Sequence, residues 1–218
     1  MAEALLGGRR RVRRLLVADR AHGLEPLLAE ARRHKIAVDV LDRQRLDRLV
    51  NHGHHQGVLA EAEPFAYCRL EDMLAGPLAG PPLLLVLDSL QDPQNFGTLL
   101  RTAQATGVSG VVLPEHRAVG VTPAVSNASA GAIEHLPVAR VTNLARSIEW
   151  LKAQGVWVHG LVVEAQQPFW DVDWTATSAL VVGSEGAGLS RLVRARCDAL
   201  ITIPMASAAV QSLNAAVA

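Results

Sequence analysis

Between Leu83 and Pro204 the chain alternates between short runs that are apolar almost throughout and longer segments with apolar residues at three- and four-residue spacing. The runs 83-LLLVLD-88, 108-VSGVVLP-114, 136-LPVARV-141, 156-VWVHGLVV-163, 179-ALVVG-183 and 199-ALITIP-204 leave little room for a solvated face. Strands of this kind are buried on both sides, which a mostly parallel sheet covered by helices provides. Helices fit 95–106, 122–131, 143–153 and 189–195 between them. A smaller α/β pattern precedes, with strands at 12–18, 36–41 and 57–63 and helices at 24–34 and 43–50. Pro and Gly cluster in 76-GP and 80-GPP, so we expect a domain over 1–67, a linker over 68–82 and a second domain over 83–218.

Half of the 218 residues are apolar, enough for a sizeable core, yet no run approaches the ~18–20 residues of a membrane span. The start, 1-MAEALLGGRRRVRR-14, lacks the apolar region and small-residue cleavage site of a signal peptide. Cys68 and Cys197 form no CxxC pair or disulfide framework, which suits a reducing cytoplasm. Net charge is zero, but residues 1–64 hold 12 Lys+Arg against nine Asp+Glu. Arg9, Arg10, Arg11, Arg13 and Arg14 crowd one end of this segment. Such a cluster is either a phosphate-attracting surface or a solvated arginine-rich turn. His52, His54 and His55 have no accompanying Cys or carboxylate at zinc spacing, so no metal is expected there; a solvated turn or polar contacts to RNA fit better.

The stretch 91-QDPQNFGTLLRTA-103 reads as a turn opening a helix, with Asn95 as its N-cap. At ~100° per residue, Phe96, Leu99, Leu100 and Ala103 share a sheet-facing side, while Gly97, Arg101 and Gln104 share the other. A glycine in a helix costs up to ~1 kcal/mol against Ala, so Gly97 implies that something approaches the backbone closely. With Arg101 one turn above it, the reading is a concave spot for a phosphate-bearing substrate, or else a capped surface helix. A second glycine cluster, 180-LVVGSEGAGLS-190, again ends an apolar strand. It lacks the Lys-Ser/Thr of a P-loop. Gly183, Gly186 and Gly188 are also spaced wrongly for a dinucleotide fingerprint, which excludes a nucleotide-dependent oxidoreductase. Glu185 caps the next helix or faces a ligand. A third cluster, 201-ITIPMASAAVQSLNAAVA-218, has Ser212 placed to cap a final helix.

Taken together, 95-NFGTLLRTA-103, 181-VVGSEGAGL-189 and 203-IPM-205 with 212-SLNAAVA-218 resemble the three ordered motifs of the SpoU (TrmH) family of RNA 2′-O-ribose methyltransferases, in the SPOUT superfamily. The segment 126-SNASAGAIEHLPV-138 is similar to what lies between them. Upstream, 3-EALLGGRRRVRRLLVA-18 and 55-HQGVLAEAEPFAY-67 resemble the family's substrate-binding domain, of ribosomal-protein L30e type. The subgroup most alike methylates a guanosine of bacterial 23S rRNA. The resemblance implies an α/β catalytic domain with a C-terminal trefoil knot, S-adenosylmethionine as cofactor, RNA as substrate, and a homodimer. It places Asn95, Arg101, Glu185, Ser212 and Asn214 at catalytic positions. It also places Gly183, Gly188, Ile203, Met205 and Leu213 at the cofactor, and Arg9, Arg10, Arg11, Arg13, Arg14 and His55 on the RNA.

A ribose hydroxyl is a poor nucleophile at neutral pH, so such a site must align it with the methyl donor and stabilise developing negative charge. Arginine side chains stay protonated in proteins, so electrostatic positioning suits Arg101 better than service as a base. Two departures from the family pattern bear on this. The segment Met205–Ser212 is one residue longer than the usual loop and lacks the glycine two places after the methionine. The family also continues past motif three into a helix, so we expect 218 residues to be a shortened form of a longer chain. A tRNA or other rRNA target, and a non-catalytic RNA-binding member, stay open as alternatives.

Overall fold

The computed structural model describes residues 2–6, 9–50, 55–75, 80–206 and 212–217, and the chain divides into two compact units, Met1–Ala66 and Tyr67–Ala218. His52 and His54, and residues 207–211, lie outside the described residues.

In the smaller unit, α1 (Ala2–Leu6), β1 (Val12–Ala18), α2 (Glu25–Arg33), β2 (Ala37–Leu41), α3 (Arg43–Leu49) and β3 (Val58–Ala62) follow one another. Its sheet has the order β2-β1-β3, with β1 parallel to β2 and antiparallel to β3. Asp42 caps α3, its carboxylate accepting from the Arg45 N–H at 2.8 Å. Leu15, Val17, Leu27, Ala31 and Val58 pack one face of the sheet, and Leu16, Ala18 and Leu46 gather on the other.

The larger unit contains β4 (Leu83–Leu87), α4 (Pro93–Ala105), β5 (Gly110–Pro114), α5 (Pro123–Ala128), β6 (Val138–Val141), α6 (Leu144–Ala153), β7 (Trp157–Leu161), β8 (Gln167–Pro168), β9 (Ser178–Val182), α7 (Arg191–Arg194) and β10 (Ala199–Thr202). The seven strands run in the order β6-β5-β4-β9-β7-β10-β8, every pairing parallel. Leu84, Val86, Val112, Ala139, Val158, Ala179 and Val181 fill its core with Ile148 and Leu151 of α6. Each of the Val, Leu and Ile side chains contributes roughly 1.5–3 kcal/mol when fully buried, which is why the apolar runs needed no polar alternation. The chain builds outward from β4 through β5 to β6, then returns to lay β9 along the other side of β4. In open α/β sheets such a reversal leaves a crevice at the carboxyl ends of the strands.

Two readings change here. Residues 68–82, expected as a linker, carry Leu70 and Met73 into the larger unit's core, and Cys68 bridges to Ala139 beside the sheet. Gly80 and Pro81 lie in a bend, while Leu70 and Met73 are core. The expected helix over the last residues is absent from 212–217, which form a turn. Ser212 caps no helix among the described residues. Asn214 opens the turn instead, its side-chain oxygen accepting from the Ala216 N–H at 2.8 Å and its carbonyl from the Val217 N–H at 2.8 Å.

Candidate active site

The start of α4 decides how the site is assembled. Asp92, not Asn95, is the N-cap: its carboxylate accepts from the Gln94 N–H at 2.6 Å and the Asn95 N–H at 3.0 Å, with Pro93 in the first turn. The Asp-Pro pair was the signal to read, and it frees the Asn95 side chain. Asn95 donates from Nδ2 to Glu185 Oε1, joining the first turn of α4 to the glycine-rich loop after β9. Phe96, Leu99, Leu100 and Ala103 are buried as the helical wheel required.

Gly97 has a different reason from the one expected. A Cβ there would lie 2.3 Å from Ala128 Cβ and 2.8 Å from the Ser129 nitrogen. The close neighbour is the end of α5, so Gly97 is a helix-packing glycine and does not line a phosphate hollow. Arg101 stays exposed on α4 and makes no hydrogen bond or ion pair among the described residues. An unpaired guanidinium is available to an anionic partner.

Gly183 is also explained within the protein. Ser184 and Gly188 exchange backbone hydrogen bonds at 3.2 and 2.9 Å, folding the loop onto itself. A Cβ on Gly183 would come within 2.2 Å of the Gly188 carbonyl carbon, and Gly188 itself has φ +64°. Both positions therefore require glycine. Gly186 has open space where a side chain would be, so the loop keeps an unobstructed backbone at its tip.

A cavity of about 310 Å³ opens at the carboxyl ends of β7, β9 and β10. It brings together all five residues expected at a cofactor, Gly183, Gly188, Ile203, Met205 and Leu213, together with Glu185 and Ser212. Leu161, Val182 and Leu189 add apolar wall. Asn95 reaches the cavity's edge through Glu185; Arg101 and Asn214 are not among its lining residues. Glu164 and Arg194, which the sequence reading did not single out, form an ion pair among that lining. The Arg194 hydrogen bond holds the Glu164 carboxyl below the usual carboxylate range. Cys197 is inert by comparison: burial, then the charge of Asp198, pushes its thiol up to about 11.

The expected RNA-facing residues of the small unit separate into groups. His55 is buried, 8% exposed, with Nδ1 accepting from the Gly57 N–H at 3.0 Å and Nε2 against Asp47 at 2.8 Å. It holds a turn together and presents nothing to a ligand. Arg14 is likewise engaged, donating twice to Glu61 at 2.7 and 2.9 Å and to Asp39 at 3.2 Å. The Glu61 contact raises the Arg14 pKa and lowers that of Glu61. Arg13 makes only an exposed 3.5 Å contact with Glu63, a pair of a kind worth little in water. Arg10 lies over the Phe65 ring at 6.0 Å. Arg9 and Arg11 pair with no described residue. A cleft of about 590 Å³ here is bordered by Arg10, Arg11, Arg13, Lys35 and Glu63. Among the described residues no group of His, Cys, Asp and Glu could hold a metal ion, and no helix is long and apolar enough to cross a membrane.

Comparison with known proteins agrees with this anatomy. The SpoU rRNA Methylase family matches residues 82–218, and the family described as RNA 2′-O ribose methyltransferase substrate binding matches residues 2–68. A Bacillus subtilis (strain 168) protein named as a TrmH family tRNA/rRNA methyltransferase is 47% identical over 190 residues, 86% of this chain and 76% of that one. A similarly named protein of Staphylococcus aureus (strain COL) is 45% identical over 197 residues, covering 89% and 79%. Among solved structures, the SpoU methyltransferase AviRb of Streptomyces viridochromogenes in complex with AdoMet superposes with a TM-score of 0.81 at 26% identity, over 99% of this chain and 81% of that one. Family models match both units, and the chain belongs to the SpoU family of RNA methyltransferases.

Proposed function

We propose that the chain transfers a methyl group from S-adenosylmethionine to the 2′-hydroxyl of a ribose in RNA, and that the target is a guanosine of 23S rRNA. One observation carries the reading most directly. The Asn95–Glu185 contact ties motif one to motif two at the edge of a cavity whose wall holds residues of motifs two and three. The residues present fit the cofactor. The volume lies at the lower end of the range for small-molecule sites, the walls mix apolar side chains (Leu161, Val182, Leu189, Ile203, Leu213) with polar groups, and glycine backbone is open for contact with a planar base. Bound there, S-adenosylmethionine would supply an electrophilic methyl on a sulfonium.

The chain's own residues do the rest. Gly183, Gly188, Ile203, Met205 and Leu213 hold the cofactor, and the cavity wall keeps water from the methyl. Arg101 grips the phosphate next to the target ribose and offsets negative charge on its oxygen as the proton leaves. Asn95 fixes Glu185, so that the carboxylate stands at a defined place beside the hydroxyl. Ser212 completes the polar edge from the cavity wall, and Asn214 from the turn beside it. In the small unit, Arg9 and Arg11 attract RNA phosphates, with Arg13 able to exchange its weak pairing for one.

The test is methyl transfer from labelled S-adenosylmethionine to purified 23S rRNA and to tRNA, followed by nucleoside mapping. The expected product is 2′-O-methylguanosine in 23S rRNA. Label confined to tRNA would overturn the target, label on a base would overturn the chemistry, and cofactor binding without transfer to any RNA would identify a non-catalytic member.

A further inference from the structure

Asp88 follows the last residue of β4, is only 4% exposed, and has no cationic partner among the described residues. A buried carboxylate is costly unless hydrogen bonds replace its water. Its backbone N–H donates to the Val182 carbonyl at 2.8 Å, tying the end of β4 to the end of β9. Its Oδ2 accepts from the Ser190 N–H at 2.6 Å, and its Oδ1 accepts from the Ser89 hydroxyl at 3.1 Å. Ser89 holds φ +64°, an unfavourable conformation for a residue with a Cβ, so the turn carrying Asp88 is built at some cost.

Ser190 ends the glycine-rich loop. That loop is therefore fastened to the β4–α4 region twice, at its middle by Asn95 on Glu185 and at its end by Asp88 on Ser190. A leucine could fill the space beneath the loop, but only an acceptor can fix the Ser190 N–H, and a carboxylate makes the stronger bond. Because the loop folds back through Ser184 and Gly188, a shift at Ser190 moves the cavity wall and Glu185 together.

We propose that Asp88 is a positioning residue, whose carboxylate sets the glycine-rich loop in the shape that receives the cofactor and aims Glu185. The proposal rests on the reading of the cavity as the cofactor site. Three variants of the full chain test it: Asp88→Ala, Asp88→Asn and Ser190→Pro. The last removes the donor and sets the ring Cδ where the N–H pointed at Asp88; Ser190 already has φ −61° and ψ 149°, which proline accepts, and in the double variant Asp88→Ala leaves room for the ring.

By calorimetry with S-adenosylhomocysteine, Asp88→Ala and Ser190→Pro should each weaken binding about tenfold, the scale of a lost charge-assisted hydrogen bond. The double variant should be no weaker than either single one, because both remove the same contact. Asp88→Asn keeps an acceptor and should stay within about threefold. RNA affinity should not change in any of them. Hydrogen exchange should also quicken at Ser184–Ser190 in Asp88→Ala with no cofactor present. Wild-type affinity and wild-type exchange in both Asp88→Ala and Ser190→Pro would overturn the proposal, as would losses that add in the double variant. Should Asp88→Ala fail to fold, Ser190→Pro carries the test alone. Wild-type protein that ignores the cofactor while Asp88→Ala still quickens exchange would sink the cavity reading and leave the loop assignment standing.

Discussion

Two stretches wall the same cavity and are held by different means. The loop 183–190 leaves β9 and closes on itself through Ser184 and Gly188, with Asn95 and Asp88 fastening it to the neighbouring segment. The stretch beyond β10 brings Ile203, Met205, Ser212 and Leu213 to the cavity, and its described turn at 214–217 rests on Asn214 and the buried Ala215. The first wall carries long-range polar ties; among the described residues those of the second are local. The difference teaches that Glu185 and the glycines proposed for the cofactor, Gly183 and Gly188, sit on the preorganised side, where a displacement costs several hydrogen bonds at once.

Arg101 belongs to neither wall, and its removal separates chemistry from support. Arg101→Ala should lower turnover by about 10²–10³-fold, the usual scale for one charge-stabilising donor, with cofactor affinity within about twofold. Single-turnover transfer and calorimetry read the two quantities. A matching fall in cofactor affinity would show that Arg101 helps hold a wall and would redraw the comparison.

The held wall is broken most directly at Gly183. An added methyl would stand 2.2 Å from the Gly188 carbonyl carbon, so Gly183→Ala must open the loop's own closure. We expect cofactor affinity to fall by about a hundredfold, measured by calorimetry, while the melting temperature drops only slightly because the clash lies beyond the sheet. Unchanged affinity would mean that loop shape and cofactor binding are not linked.

On the other wall, Asn214→Ala deletes a bond of one turn and should weaken cofactor binding only about threefold, in keeping with a solvent-accessible hydrogen bond of about 0.5–1 kcal/mol. A loss as large as that of Gly183→Ala would erase the contrast between the two stretches.

How much of this was legible depended on whether the physics was local. The apolar runs became the strands of a parallel sheet because continuous burial is written in each run by itself. The face of α4 carrying Phe96, Leu99 and Leu100 was readable for the same reason. Gly97 was misread because its neighbour, Ala128, is brought close only by the packing of α5. Arg14 was misread because Glu61 meets it across the β1–β3 register, which no window of sequence displays. His55 looked solvated among polar neighbours, yet Asp47 eight residues earlier takes its ring inward. Asp92 is the exception: the Asp-Pro cap was local and plain, and Asn95 drew the eye because it also caps well.

The smallest expected effect concerns β7, the strand between β9 and β10, on which both walls depend. His159 is buried on it, edge-on to Trp174 with ring centroids 5.2 Å apart, and its Nδ1 has no hydrogen-bond partner among the described residues. Burial lowers its pKa below the ordinary histidine value, and the charge of Asp198 offsets only part of that. The folded protein therefore keeps this imidazole neutral at pH values where the unfolded chain takes up a proton. A depressed folded pKa contributes stability above the unfolded value of about 6.5, and that stability is lost as pH falls from there through the folded pKa. Between pH 7.5 and 5.5 the melting temperature should decline by a few degrees, roughly the shift expected for 1 kcal/mol in a domain of this size. His159→Phe keeps a ring against Trp174 and removes the titration, so its curve should be flatter over the same interval. If the strand alone transmits the change, cofactor affinity at pH 5.5 should weaken less in His159→Phe than in the wild type. Parallel melting curves for the two proteins would place the acid sensitivity elsewhere, and would leave both walls standing on a strand that does not respond to pH.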